Sequence, residues 1–175
     1  MEKIIYILLL SSLIHLHFQR SICGPERERT LAMVKPDGVM ANHSEEIKRV
    51  ISAKGFVITA QKHVQMDESA VKTFYAEHSQ RAFFPSLVKF MTSGPVLPMV
   101  LEKEDAVAEW RALIGPTDAR KARISHPHCI RALCGLDSEK NCVHGSDSHQ
   151  SAAREIAFFF GDYTSGEAIS GHDEL

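Results

Sequence analysis

Apolar positions along the chain follow two periods, one near two residues and one near 3.6, and segments of the two kinds alternate. Arg29–Val34, with Leu31, Met33 and Val34 apolar, predicts a short buried strand that stops abruptly at Lys35-Pro-Asp-Gly38, where Pro36 and Gly38 begin a turn. Glu45–Lys54 places Ile47, Val50 and Ile51 on one helix face and closes at Gly55. Phe56–Val64 predicts a second strand, and Ser69–His78 a helix with Val71, Phe74 and Tyr75 inward. A short helix opens at Phe83-Phe-Pro85, runs to Met91 and ends at Ser93-Gly-Pro95. Val96–Glu102 is the third strand, and Asp105–Ile114 a helix with Val107, Trp110, Leu113 and Ile114 on one side. Gly115–Pro127 reads as a long loop rich in Arg and Lys, and Cys129–Cys134 as a helix or a strand. A fourth strand is expected between Ile130 and His144. Asp147 and Gln150 then stand three apart like a capping box, opening a helix that ends at Phe160. Strands alternating with helices favour a mixed or antiparallel sheet covered by helices.

Length and charge narrow the reading. A chain of 175 residues favours one domain. The formal net charge of -2, without a basic stripe, argues against nucleic acid as a partner but leaves room for a small polyanion held by local cations. The 10 histidines are scattered, and none joins a cysteine pair at zinc-ligand spacing. Cys23, Cys129, Cys134 and Cys142 form neither a CxxC pair nor a disulfide framework, and Cys129 and Cys134 are expected to pack as small core residues.

The two ends read as addresses. Residues 1–24 start with Lys3, continue through an apolar run from Ile4 to Ile14 and finish in small and polar residues, the layout of a secretory signal peptide cleaved after Cys23 or Gly24. The run is short for a bilayer span of about 20 residues, so no membrane span is expected after cleavage. The final His172-Asp-Glu-Leu175 is the tetrapeptide read by the endoplasmic-reticulum retrieval receptor. Together the ends predict a protein of the endoplasmic reticulum lumen, with 27–163 as its domain and 164–175 as a flexible tail. Asn42-His-Ser44 is then a candidate glycosylation acceptor.

Chemistry concentrates around one histidine. There is no GxxxxGK[ST] loop and no GxGxxG, so two common nucleotide cradles are absent from the sequence. Lys35 stands at the end of a strand, and Arg111, Arg123 and Arg131 flank the long loop. Asn141 precedes His144 by three residues, and Glu155 follows it by eleven. A neutral imidazole can attack phosphorus when a carboxylate orients one ring nitrogen and leaves the other free. Glu155 is the candidate orienter, and Lys35 with the arginines the candidate cations for charge developing on a transferred group. Gly145 lets the backbone pass close to the ring, and Ser146 can donate a hydrogen bond.

Four stretches add a family resemblance: Glu28-Arg-Thr-Leu-Ala-Met-Val-Lys-Pro-Asp-Gly-Val39, Arg81-Ala-Phe-Phe-Pro-Ser-Leu-Val-Lys89, Ser93-Gly-Pro95 and Asn141-Cys-Val-His-Gly-Ser-Asp-Ser148. They resemble the nucleoside diphosphate kinases, continuously from about Arg27 to Tyr163, and look like a divergent, plant-like member with a signal peptide and a C-terminal HDEL. The resemblance implies a ferredoxin-like βαββαβ fold of the α/β (α+β) kind, with an antiparallel sheet covered by helices. It implies transfer of the terminal phosphate of ATP or another nucleoside triphosphate to a nucleoside diphosphate through a phosphohistidine. His144 would be the nucleophile, oriented by Glu155, supported by Ser146 and flanked by Tyr75. Lys35, Arg111, Thr117, Arg131 and Asn141 would hold phosphates and ribose, and Phe83 would stack on the base. Mg2+ would arrive on the nucleotide's own phosphates, with no protein metal site, and a homo-oligomer would be in keeping with the family. The pattern is broken in two places. The Thr117–Arg131 loop is longer than usual and carries Pro127-His128 in place of Pro-Gly, and Glu77 stands where an aspartate is expected. The alternative expectation is a catalytically weak nucleotide-binding or scaffold protein that keeps the fold.

Overall fold

A computed structural model describes residues 27–161; the signal-like segment, the tail and the retrieval tetrapeptide lie outside the described residues. The described chain runs β1 (Glu28–Val34), α1 (Pro36–Met40), α2 (Ser44–Ala53), β2 (Val57–Gln61), α3 (Glu68–Phe74), a 3-10 turn (Ala76–His78), α4 (Phe84–Met91), β3 (Leu97–Lys103), α5 (Ala106–Ile114), α6 (Ala119–Ser125), α7 (Ile130–Cys134), β4 (Val143–Gly145) and α8 (His149–Phe160). The strands form one sheet in the order β2-β3-β1-β4, antiparallel at every pairing. This is the split βαβ arrangement of a ferredoxin-like fold, with α3 and α4 inserted between β2 and β3 and α8 added after β4.

β1 is central and buried on both faces, which explains its unbroken apolar run. Leu31 and Met33 point to one face, into a cluster with Val71, Phe74, Met91, Ile156 and Phe159 from α3, α4 and α8 and with Tyr75 at the end of α3. Ala32 and Val34 point to the other, with Ile47, Ile51, Trp110, Ile114 and Ile130 from α2, α5 and α7. Two apolar layers therefore sandwich the sheet, and each buried Leu or Ile contributes about 1.5–3 kcal/mol against leaving it exposed. Met33 pairs with His144 in the β1–β4 register, so the histidine belongs to a strand that the core holds rigidly. Among the described residues no helix is long and apolar enough to cross a membrane.

Five expectations change. The turn at Lys35 is helical from Pro36, because proline at the first helical position is preset for the helix. The predicted helix over 69–78 stops at Phe74 and tightens into the 3-10 turn. The Gly115–Pro127 loop contains α6: Asp118 accepts a hydrogen bond from Arg120 N, and Ala119 and Ala122 are buried on one side of an Ala-, Arg- and Lys-rich segment that favours helix. The last helix starts at His149 and is capped by Ser148 and Ser151 reciprocally, in place of Asp147 and Gln150. Finally, Cys134 and Cys142 form a disulfide, while Cys129 is a free, buried thiol. Cys134 ends α7 and Cys142 lies just ahead of β4, and spacing alone does not reveal that these two ends meet.

Candidate active site

The site begins with the short strand β4. Trp110 Nε1 donates to the His144 carbonyl at 3.2 Å, pinning the backbone. Gly145 makes that approach feasible, because a Cβ there would sit 2.5 Å from Cδ1 and Nε1 of the Trp110 ring. On the opposite side the His144 ring meets Phe74 and Tyr75 edge-on, with centroids 5.3 Å and 5.9 Å away. A turn after β4 leads into α8, which returns Glu155 to the imidazole.

Glu155 Oε2 lies 2.8 Å from His144 Nε2 and accepts a second hydrogen bond from Ser146 Oγ, also at 2.8 Å. A carboxylate only accepts, so Nε2 carries the proton, and Nδ1 is left without a hydrogen-bond partner among the described residues. The carboxylate side chain is 4% exposed and the imidazole 18%, so the pair is nearly dry on its inner side and open on its outer one. Ser146 is tied to β1, receiving a hydrogen bond from Leu31 N at 3.2 Å.

The open side faces a cavity of about 540 Å3 whose lining includes Lys35, Tyr75, Phe83, Arg111, Thr117, Arg131, Asn141, His144 and Glu155. Ser146 stands behind the histidine, bonded to Glu155, and is absent from the lining. Lys35, at the end of β1, donates to Asn141 Oδ1 at 2.8 Å and to the Glu139 carbonyl at 3.3 Å. Burial, and next the Arg131 charge, lower its pKa to about 8, with Asp37, Glu139 and Asp137 opposing. Arg131, on α7, donates to the carbonyls of Gly115 and Val143, while its buried Nε has no partner in the described structure. Burial, and then the neighbouring Arg111, pull its pKa down to about 10, leaving it charged at neutral pH. Two guanidiniums and a buried ammonium around one cavity form a site that an anion would relieve. Asn141 Nδ2 donates to the Thr117 carbonyl at 2.9 Å, joining the 117 loop to the floor. Phe83 is 51% exposed at the cavity's outer end, open for stacking. Tyr75 is buried beside the carboxylate, and burial first, then the Glu155 charge, raise the pKa of its hydroxyl.

Several cavity residues escaped the sequence reading. His78 stacks on Tyr75, with centroids 6.2 Å apart and planes at 24°, and lies 5.7 Å from Phe83; its spacing of three from Tyr75 was the available signal. Ser138 and Glu139 form part of the wall, and nothing in their local sequence marks them. Glu77 contacts Arg154 at 3.6 Å and His78 at 3.9 Å. Arg123, grouped with the site cations on sequence, instead donates to the Gly135 carbonyl.

An antiparallel sheet presenting a carboxylate-oriented histidine to a cation-lined cavity with an aromatic at its mouth defines a phosphoryl-transferring nucleotide enzyme. Comparison with known proteins names the family. The family model for nucleoside diphosphate kinase matches residues 28–164. A probable nucleoside diphosphate kinase 5 from Arabidopsis thaliana is 62% identical over 144 residues, covering 82% of this chain and all of the relative. A nucleoside diphosphate kinase from Sorangium cellulosum is 45% identical, covering 78% of this chain and 92% of its own. Among solved structures, the Aquifex aeolicus nucleoside diphosphate kinase superposes with a TM-score of 0.74 at 44% identity, over 78% of this chain and 96% of its own. The Halobacterium salinarum enzyme, solved in complex with CDP, gives 0.74 at 42% identity, over 78% of this chain and 90% of its own. The chain belongs to the nucleoside diphosphate kinase family.

Proposed function

We propose that this kinase carries the transferred phosphate on Nδ1 of His144. The observation that carries the reading is the Nε2–Glu155 contact of 2.8 Å, which leaves Nδ1 free on a ring that lines the cation-rich cavity. The Nδ1 lone pair attacks the terminal phosphorus of a nucleoside triphosphate. The N–P bond forms as the bridging P–O bond breaks, and the nucleoside diphosphate leaves with that electron pair. The acceptor diphosphate reverses the step: its terminal oxygen attacks phosphorus and the N–P bond breaks. As the ring becomes cationic, Glu155 stabilises it, with Ser146 holding the carboxylate in place. Tyr75 and Phe74 confine the imidazole between their ring edges. Lys35, Arg111 and Arg131 bind the phosphates, Asn141 and Thr117 the sugar–phosphate end, and Phe83 the base.

A divalent cation, usually Mg2+ in this family, fits when it arrives on the nucleotide. Lys35, Arg111 and Arg131 oppose a bare ion, while the lining carboxylates of Glu77, Glu139, Asp147 and Glu155 each have a partner already, in Arg154, Ser86, Ser148 and His144. The residues that hold the phosphates would thereby hold the ion, which would supply neutralisation of phosphate charge.

The test is transfer from γ-labelled ATP to the purified protein and onward to a second diphosphate. Acid-labile, alkali-stable label that is lost in His144→Asn supports the mechanism. Nucleotide binding without transfer would leave the scaffold alternative.

The same proposal places the enzyme in the endoplasmic reticulum lumen. The signal-like segment 1–24 and the terminal His172–Leu175 support it. A disulfide between Cys134 and Cys142 also suits an oxidising compartment. Asn42 lies on an exposed turn, so a mobility shift on endoglycosidase treatment would report luminal exposure. A cytosolic reporter fused after residue 24 would refute the placement. Exposed Ile124, Leu133 and Leu136 around α6 and α7 support a homo-oligomer, which sedimentation of the purified protein tests.

A further inference from the structure

The short segment between α7 and β4 forms part of the cavity wall, and of its two lining residues without a task in phosphate transfer, Ser138 and Glu139, only Glu139 is charged. This segment is fixed from several sides. The Cys134–Cys142 disulfide closes it at its two ends. Asp137 Oδ1 accepts from the backbone N–H of both Glu139 and Lys140 at 2.8 Å, and Lys35 Nζ donates to the Glu139 carbonyl. The side chain is held too: Ser86 Oγ, one helical turn beyond Phe83, donates to Glu139 Oε1 at 3.1 Å. Glu139 Oε2 has no such partner in the described structure, and the residue is half-buried at the cavity edge. A negative group is thus set in advance in the same cavity that Phe83 lines, and holding it there beforehand lowers the ordering cost of an encounter.

We infer that Glu139 reads the edge of the nucleobase and biases this kinase toward guanine nucleotides, an inference that rests on the nucleotide reading of the cavity. A carboxylate accepts hydrogen bonds and cannot donate them. Guanine presents two adjacent donors on one edge, N1–H and the N2 amino group, which match two carboxylate oxygens. Adenine and cytosine each offer a single amino donor. Uracil offers one N–H flanked by two carbonyl oxygens, which a carboxylate repels. The order of affinity is therefore guanine first and uracil last, with adenine and cytosine between. Stacking on Phe83 alone would rank the bases by ring size, purines above pyrimidines, and would not separate guanine from adenine.

The test is direct binding of GDP, ADP, CDP and UDP to the full-length protein by titration calorimetry, for wild type, Glu139→Ala and Glu139→Gln. Wild type should bind GDP at least about fivefold more tightly than UDP, the low end for a bidentate edge contact at a partly exposed rim. Both variants should shrink that ratio, mainly by weakening GDP. Glu139→Gln preserves shape, so it remains informative if the alanine variant folds poorly. Equal wild-type affinities for GDP and UDP, or an unchanged ratio in both variants, would overturn the inference. Failure of every diphosphate to bind would overturn the nucleotide reading of the cavity together with it. A preserved GDP preference without phosphate transfer would uphold Glu139 and sink only the catalytic proposal.

Discussion

Replacing Glu155 by glutamine removes a charge but almost no volume, so it isolates what the carboxylate does for His144. In the native site Oε2 accepts from both His144 Nε2 and Ser146 Oγ at 2.8 Å, and the side chain is 4% exposed. Hydrogen bonds to a charged group are worth about 1.5–3 kcal/mol and neutral ones about 0.5–1.5 kcal/mol, so the glutamine loses about 1–2 kcal/mol once the imidazole becomes cationic. At 1.36 kcal/mol per factor of ten, phosphoryl transfer should slow about 5- to 30-fold. The assay is single-turnover labelling of the enzyme by γ-labelled ATP in a quenched-flow instrument, with thermal melting measured in parallel. Melting should hold or rise, because the substitution leaves no buried charge unpaired. A variant that transfers at the wild-type rate would refute the orienting role. So would a rate that falls only in proportion to the loss of folded protein.

Other outcomes follow from the same geometry. Lys35, with its pKa lowered to about 8, binds phosphate in its protonated form, and phosphate in turn raises the pKa of the complex. ADP affinity should be highest below about pH 8 and fall above it by up to about tenfold per pH unit, a dependence that calorimetry should find flattened in Lys35→Gln. Gly145→Ala drives a methyl into Trp110 and should cost about 1–3 kcal/mol in urea unfolding while also displacing His144; an unchanged midpoint would contradict the packing. Opening the Cys134–Cys142 disulfide, with its sequence separation of 8, should cost about 2.5 kcal/mol by loop entropy, read as a lower melting temperature in dithiothreitol and confirmed by alkylation mass.

Most of the sheet could be read from the chain because β1 is buried on both faces: Leu31 and Met33 serve one apolar layer, Ala32 and Val34 the other. β4 was harder to place. It spans only Val143–Gly145, too short to show a period, and its position depends on pairing with Ala32–Val34. α6 hid inside a cationic segment because only Ala119 and Ala122, two small side chains, mark its buried face. The site residues carried by sequence motifs, Lys35, Asn141, His144 and Glu155, line the same cavity. Ser138 and Glu139 join them through the fold alone, since the 3-10 turn after α3 and the segment before β4 converge only once the sheet is assembled. The Cys134–Cys142 link was invisible for the same reason: its distance is set by where α7 docks, not by the sequence separation of 8.

The claim on which the account stands is a phosphate held on His144. The most direct measurement isolates the protein after brief incubation with γ-labelled ATP, maps the label to a peptide at alkaline pH in one portion, and adds unlabelled GDP to the intact protein in another. The account predicts label on the peptide containing His144, stable in base and lost in acid, that passes quantitatively to GTP when the diphosphate is added. Label on another residue, or label on His144 that no diphosphate removes, would contradict it.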